Sequence, residues 1–181
     1  MMESKKTIEN MYNMTYERLT MLYRDVDLGE YGKAYEKGMI IREKTLTGAS
    51  RYGGGVFTTH RYAILSNNYK DAAAIGQDRN EGLCVMNKDS YFKVLDVYNN
   101  QGKTQITLLQ LPEKAWEFIE NVNADVEDKL VEHVRSRFDE CLEDEPIPML
   151  TTDNWLERCS SPLGMDEEGN LFPLSDENKT Y

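Results

Sequence analysis

Hydrophobic positions recur at spacings of three and four along the first segment of the chain. Ile8, Met11, Tyr12, Tyr16, Leu19, Leu22, Tyr23 and Val26 fall on one stripe, while Glu9, Glu17, Arg18 and Arg24 lie largely off it. That period predicts an amphipathic N-terminal helix over 5–27, closed by Gly29 and Gly32. From residue 39 the texture changes. Met39-Ile40-Ile41, then VFTTHRYAIL, GLCVMN, YFKVLDVY and TQITLLQL are short runs rich in β-branched and aromatic residues, as strands are. The last two runs flank NNQGK, whose Asn and Gly suit a tight turn, and they predict a hairpin near 91–111. A helical period returns after Pro112. Trp116, Ile119 and Val122 share one stripe, and Val126, Leu130, Val134, Phe138 and Leu142 share another. The offset predicts a bend near Asn121–Asn123, and a short helix is expected after Thr152-Asp153.

Strands grouped together rather than alternating with helices predict an α+β fold. The expected architecture is an N-terminal helix, a mostly antiparallel sheet of about four strands, and C-terminal helices. One domain over 1–181 is expected, with its sheet region at 39–111, an acidic helical region at 113–160 and a tail at 161–181.

Charge sharpens this layout. Residues 1–112 carry 15 Lys/Arg against 13 Asp/Glu, whereas 113–181 carry 6 against 19, so the net charge of -11 is concentrated in the last third. Phosphate backbones need cationic neutralisation, so nucleic-acid binding through that third is disfavoured. No apolar run approaches a bilayer span and no secretion signal opens the chain, which predicts a cytoplasmic location. The three cysteines are far apart and only His60 and His133 are present. Neither a disulfide framework nor a metal site is expected, and no cofactor is expected. Cys84 and Cys141 look like core, and Cys159 is the candidate exposed thiol.

Two surfaces attract functional readings. RYGGGVFTTHRYAILSNN places three glycines before a strand, so it matches neither a P-loop nor a dinucleotide fingerprint, both of which need a following helix. Arg51, Tyr52, Gly54, His60 and Arg61 could still line a ligand pocket, although no carboxylate at fixed spacing orients His60 as a base. The second surface is DECLEDE, where Asp139, Glu140, Glu143, Asp144 and Glu145 sit at a helix C-terminus. Negative charge is unfavourable there unless a basic partner neutralises it. With no catalytic set in view, the sequence is read as a non-catalytic accessory protein of bacterial or mobile-element kind. It would bind a basic partner protein through this acidic surface, as inhibitors, immunity proteins and anti-defence factors do. The alternative is a small ligand-binding domain or enzyme with its pocket at 51–66. Oligomerisation through the tyrosines and methionines is also open.

Overall fold

The computed structural model describes residues 2–76, 80–112 and 124–176. An eight-stranded mixed sheet organises them: β1 (Thr20–Val26), β2 (Ile40–Glu43), β3 (Thr47–Ser50), β4 (His60–Ser66), β5 (Lys70–Asp71), β6 (Leu83–Met86), β7 (Ser90–Asn100) and β8 (Lys103–Leu111). Their spatial order is β2-β7-β8-β4-β1-β3-β6-β5. Adjacent strands pair antiparallel except β4 and β8, which run parallel from His60↔Thr104 to Leu65↔Leu109. Helices α1 (Met2–Tyr16), α2 (Ala124–Leu142) and α3 (Asp153–Arg158) complete the fold.

The expectation of about four antiparallel strands is therefore corrected: the sheet has twice as many, and it is mixed. The largest single error lies at 5–27. The helix ends at Tyr16, Arg18 takes a left-handed φ of 53°, and Thr20–Val26 becomes a central strand. Both faces of β1 are covered, Leu22 and Val26 on one and Met21 on the other. A strand buried on two sides shows no alternation, and its apolar residues imitate a helical stripe. Trp116, Ile119, Val122 and the expected bend at Asn121–Asn123 lie outside the described residues.

Core packing follows the two faces. On one, Leu22, Tyr62, Ile64, Ile106, Leu108, Phe92 and Val94 pack against Leu28 and Tyr35, which flank a 3-10 turn (Gly29–Ala34), and against Leu163 and Met165 of the C-terminal segment. On the other, Ala63, Leu65, Leu95 and Leu109 meet Val134 of α2 and Met11 of α1. A third cluster joins Trp155 and Cys159 of the α3 region to Leu83 of β6 and to Leu150.

A bulge sets the parity of β7. The register steps from Val94↔Leu108 to Asp96↔Thr107, leaving Leu95 as the extra residue. That single insertion turns Asp96 and Tyr98 toward α2, where without it they would face the opposite layer. Arg135 then grips Asp96 with two bonds of 2.7 and 2.6 Å, and Tyr98 donates to Asp139.

Candidate active site

The glycine run is a close-packing device. Gly55 donates its N–H to the Glu145 carbonyl at 3.0 Å, and any Cβ placed on it would collide with the Asp144 carbonyl. A Cβ on Gly54 would meet the Ile147 side chain, and one on Gly53 the Tyr23 ring. Three glycines are needed because the chain threads between β1 and the segment leaving α2, where no side chain fits.

Arg61 fixes that passage. Its side chain is 1% exposed and binds Asp25 through Nε at 2.6 Å and Nη2 at 2.9 Å, with a further bond to the Gly54 carbonyl. The Tyr23 ring lies 5.1 Å from the guanidinium. Burial opposes the charge, but the ion pair with Asp25 outweighs it and holds the guanidinium's pKa above its ordinary value.

His60 stands apart from Arg61 because successive strand residues point to opposite faces. Its Nδ1 shares a 2.8 Å hydrogen bond with Thr59 Oγ1, and its ring lies against the backbone of Gly32. Burial lowers its pKa, with Asp27 pulling weakly the other way. Below about pH 6.5 the unfolded chain takes up a proton that the folded imidazole resists, so stability falls as the pH drops through that window. His60→Gln is expected to flatten this part of the stability profile; urea melts from pH 7 to 5 check it. Arg51 pairs with Asp71 and lies over the Tyr52 ring, and both residues flank Gly82. The five residues singled out in 51–61 are thus divided between separate environments: Arg51 and Tyr52 beside β5, Gly54 and Arg61 beneath the end of α2, and His60 against the 3-10 turn.

The acidic surface also has internal partners. Asp139 accepts from Tyr98 and Asn100, Glu140 pairs with Arg137, and Glu143 accepts from Gln101. Asp144 and Glu145 present their backbone to Gly55, with exposed side chains. Cys159, expected to be exposed, is fully buried beneath α3, and burial pushes its thiol pKa up to about 11. Among the described residues, no group of three or more His, Cys, Asp or Glu could hold a metal ion, and no helix is long and apolar enough to cross a membrane.

A different polar constellation emerges at the seam between β1 and β3. These strands are paired at one register position, Tyr23↔Ser50. Arg24, 3% exposed, bridges the two strands: Nη1 donates to the Gly48 carbonyl of β3 at 2.9 Å. Nη2 donates to the carbonyl and hydroxyl oxygens of Ser161 at 2.9 and 3.1 Å. Ser50 Oγ donates to the Glu81 carbonyl at 2.6 Å, which fixes the entry to β6 beside the seam. Glu81 is 6% exposed and, with Arg24, lies near enough to Cys159 to influence its thiol. Two buried polar atoms here, Arg24 Nε and Thr47 Oγ1, have no hydrogen-bond partner among the described residues.

The segment over this seam is clamped residue by residue. Tyr35 donates to the Leu163 carbonyl at 2.7 Å, and the Leu163 N–H donates to Tyr62 Oη at 3.1 Å. That leaves Tyr62 as donor to Tyr35 across 2.5 Å. Burial pushes the Tyr62 phenol up to about 12, and that of Tyr35 higher still. The Gly164 N–H donates to Glu43 at 2.7 Å.

No protein-family model matches the sequence, and no curated protein is similar to it at the sequence level. Solved structures share part of the fold. Exoenzyme S from Pseudomonas aeruginosa, solved in complex with human 14-3-3 protein beta and bound to carba-NAD, matches with a TM-score of 0.46 at 18% identity over 70% of this chain and 64% of its own. The Vis toxin of Vibrio splendidus, described as an ADP-ribosyltransferase, matches at 0.41 and 14% identity over 63% of this chain and 59% of its own. The ADP-ribosyltransferase HopU1 of Pseudomonas syringae matches at 0.43 and 15% over 51% and 45%. The chain spans less than two thirds of the length of each of these three structures. The reading of a non-catalytic accessory protein acting through an acidic helical surface is corrected here, two of these three structures being described as ADP-ribosyltransferases. The internal bonds of Asp139, Glu140 and Glu143 accord with that correction, because they satisfy part of the acidic cluster without a partner.

Proposed function

We propose that this chain is an ADP-ribosyl-transfer domain that uses NAD as donor, with its site at the seam between β1 and β3. The activity is the one named for the Vis and HopU1 structures; its assignment here rests on the residues of the seam. The observation that carries it is the buried Arg24 guanidinium, which reaches from β1 to the Gly48 carbonyl of β3 and lies with Glu81 near Cys159.

The chemistry sets matching demands. Transfer breaks the bond between the ribose C1′ and the nicotinamide nitrogen. The electron pair leaves with nicotinamide, positive charge builds on the ribose, and an acceptor bonds to C1′ and gives up its proton. A site for this needs a cation for the diphosphate, hydroxyls for the ribose and a carboxylate near the developing charge. Arg24 supplies the cation, Thr47 a hydroxyl and Glu81 the carboxylate. Arg24 Nε and Thr47 Oγ1, without a hydrogen-bond partner among the described residues, are capacity open to a ligand.

Calorimetric titration with NAD, together with chromatographic detection of released nicotinamide, tests the reading. Folded wild-type protein is expected to bind and slowly cleave NAD, and Arg24→Gln to weaken binding at least tenfold, as for loss of a charge-assisted contact. Folded wild-type protein that neither binds millimolar NAD nor releases nicotinamide, with a folded Gly164→Ala variant equally inert, removes the proposal.

A further inference from the structure

The seam is closed in this structure by the chain's own C-terminal segment. We infer that residues 160–176 form a displaceable strap whose Ser161 occupies the Arg24 position intended for the donor's diphosphate, so that strap and donor exclude one another. This inference rests on the NAD reading and adds its regulation.

Three observations point to it. First, the Arg24 guanidinium meets oxygens of Ser161, a carbonyl and a hydroxyl, and among the described residues none of its hydrogen bonds goes to a carboxylate. Neutral oxygens on a buried guanidinium are weaker partners than an anion, so a diphosphate has the advantage once it gains access. Second, the cavity next to the start of the strap, lined by Asp25, Val26, Asp27, Thr58, Leu156 and Ser160, holds only about 120 Å³, whereas ligand sites for molecules of this size run to roughly 300–1,000 Å³. Third, the strap is fastened largely by polar hooks at separate points. Glu43 holds Gly164, Tyr31 donates to the Glu167 carbonyl, Tyr91 to the Leu174 carbonyl, and Arg42 grips Asp176, whose side chain is 72% exposed. Leu163 and Met165 supply its buried apolar contacts. Such a segment can lift from the sheet while α1, α2 and the other face stay packed.

Gly164 offers a way to loosen the strap without touching the seam. Its φ is +81°, and a Cβ there would lie 2.8 Å from the Ile41 Cβ. Gly164→Ala is therefore strained in both backbone and packing. If the strap competes with the donor, loosening it raises the fraction of open protein, and apparent affinity rises in proportion. Gly164→Ala is expected to bind NAD at least tenfold more tightly than wild type. On wild-type protein, saturating NAD is expected to speed hydrogen exchange of the Leu163 and Gly164 amides.

The outcomes separate cleanly. Equal NAD affinity in both proteins, with Leu163 and Gly164 protected as before in bound wild type, overturns the strap and leaves the NAD reading standing. No NAD binding by wild type, and none by a Gly164→Ala protein whose amides exchange freely, removes the NAD reading and the strap with it. If Gly164→Ala does not fold, the exchange experiment on wild type decides alone: faster exchange with NAD supports displacement, and unchanged or slower exchange excludes it.

Discussion

Asp25→Ala is expected to destabilise the protein by about 3–5 kcal/mol, because it strands a buried guanidinium without its carboxylate. Arg61 is 1% exposed, and its contacts with the Gly54 carbonyl and the Tyr23 ring cannot neutralise it. The effect should spread along the glycine run, since Arg61 holds Gly54 and Gly55 is bonded to Glu145. Chemical denaturation measures the loss. The double variant Asp25→Ala/Arg61→Met should recover much of it, as the stranded charge is gone and the stem is replaced by an apolar side chain of similar length. A loss under about 1 kcal/mol in the single variant would show that water reaches the guanidinium.

Glu81→Gln is expected to lower nicotinamide release by about 10²–10³-fold while changing NAD affinity only a few-fold. The amide keeps the shape and hydrogen-bonding reach of the carboxylate but removes the charge that opposes the positive ribose. Because the exchange is isosteric and the Ser50 bond goes to the Glu81 main chain, the entry to β6 should survive. Single-turnover kinetics beside a binding titration separate the two effects. An equal loss in affinity and rate would assign Glu81 to ground-state binding, and an unchanged rate would take it out of the chemistry.

Legibility in the sequence tracked how local each feature is. The β7–β8 hairpin is written in its turn, where Gln101 and Gly102 take φ of 51° and 77°, the left-handed pair a tight hairpin demands. The helix at 124–142 and the short one after Thr152 show in their apolar spacing and, for the latter, in a Thr152 cap that accepts from Trp155 N–H. β1 was hidden by being covered on both faces, and β3 by the sequence TGAS, whose small residues carry little strand signal. The seam was invisible for a different reason. Arg24 reads as a polar residue off a helical stripe and Glu81 as a loop residue, and only strand order brings them near Cys159. The glycine run had the opposite fault: it looks like a ligand loop locally, but its neighbours Tyr23, Asp144 and Ile147 come from distant segments.

The parallel pairing of β4 with β8 also sets a schedule for biosynthesis. The middle of the sheet is built from residues 20–26, 60–66 and 103–111, in the order β8-β4-β1. A nascent chain that has emerged only as far as residue 100 can pair β1 with β4, but it presents the outer edge of β4 bare. That edge carries His60 to Ser66, buried in the finished molecule almost throughout. Pairing between separate sequence regions is slow, and an uncovered apolar edge recruits strands from other chains. The interval between synthesis of β4 and of β8 is therefore the point at which this protein is most exposed to aggregation and most dependent on chaperone cover.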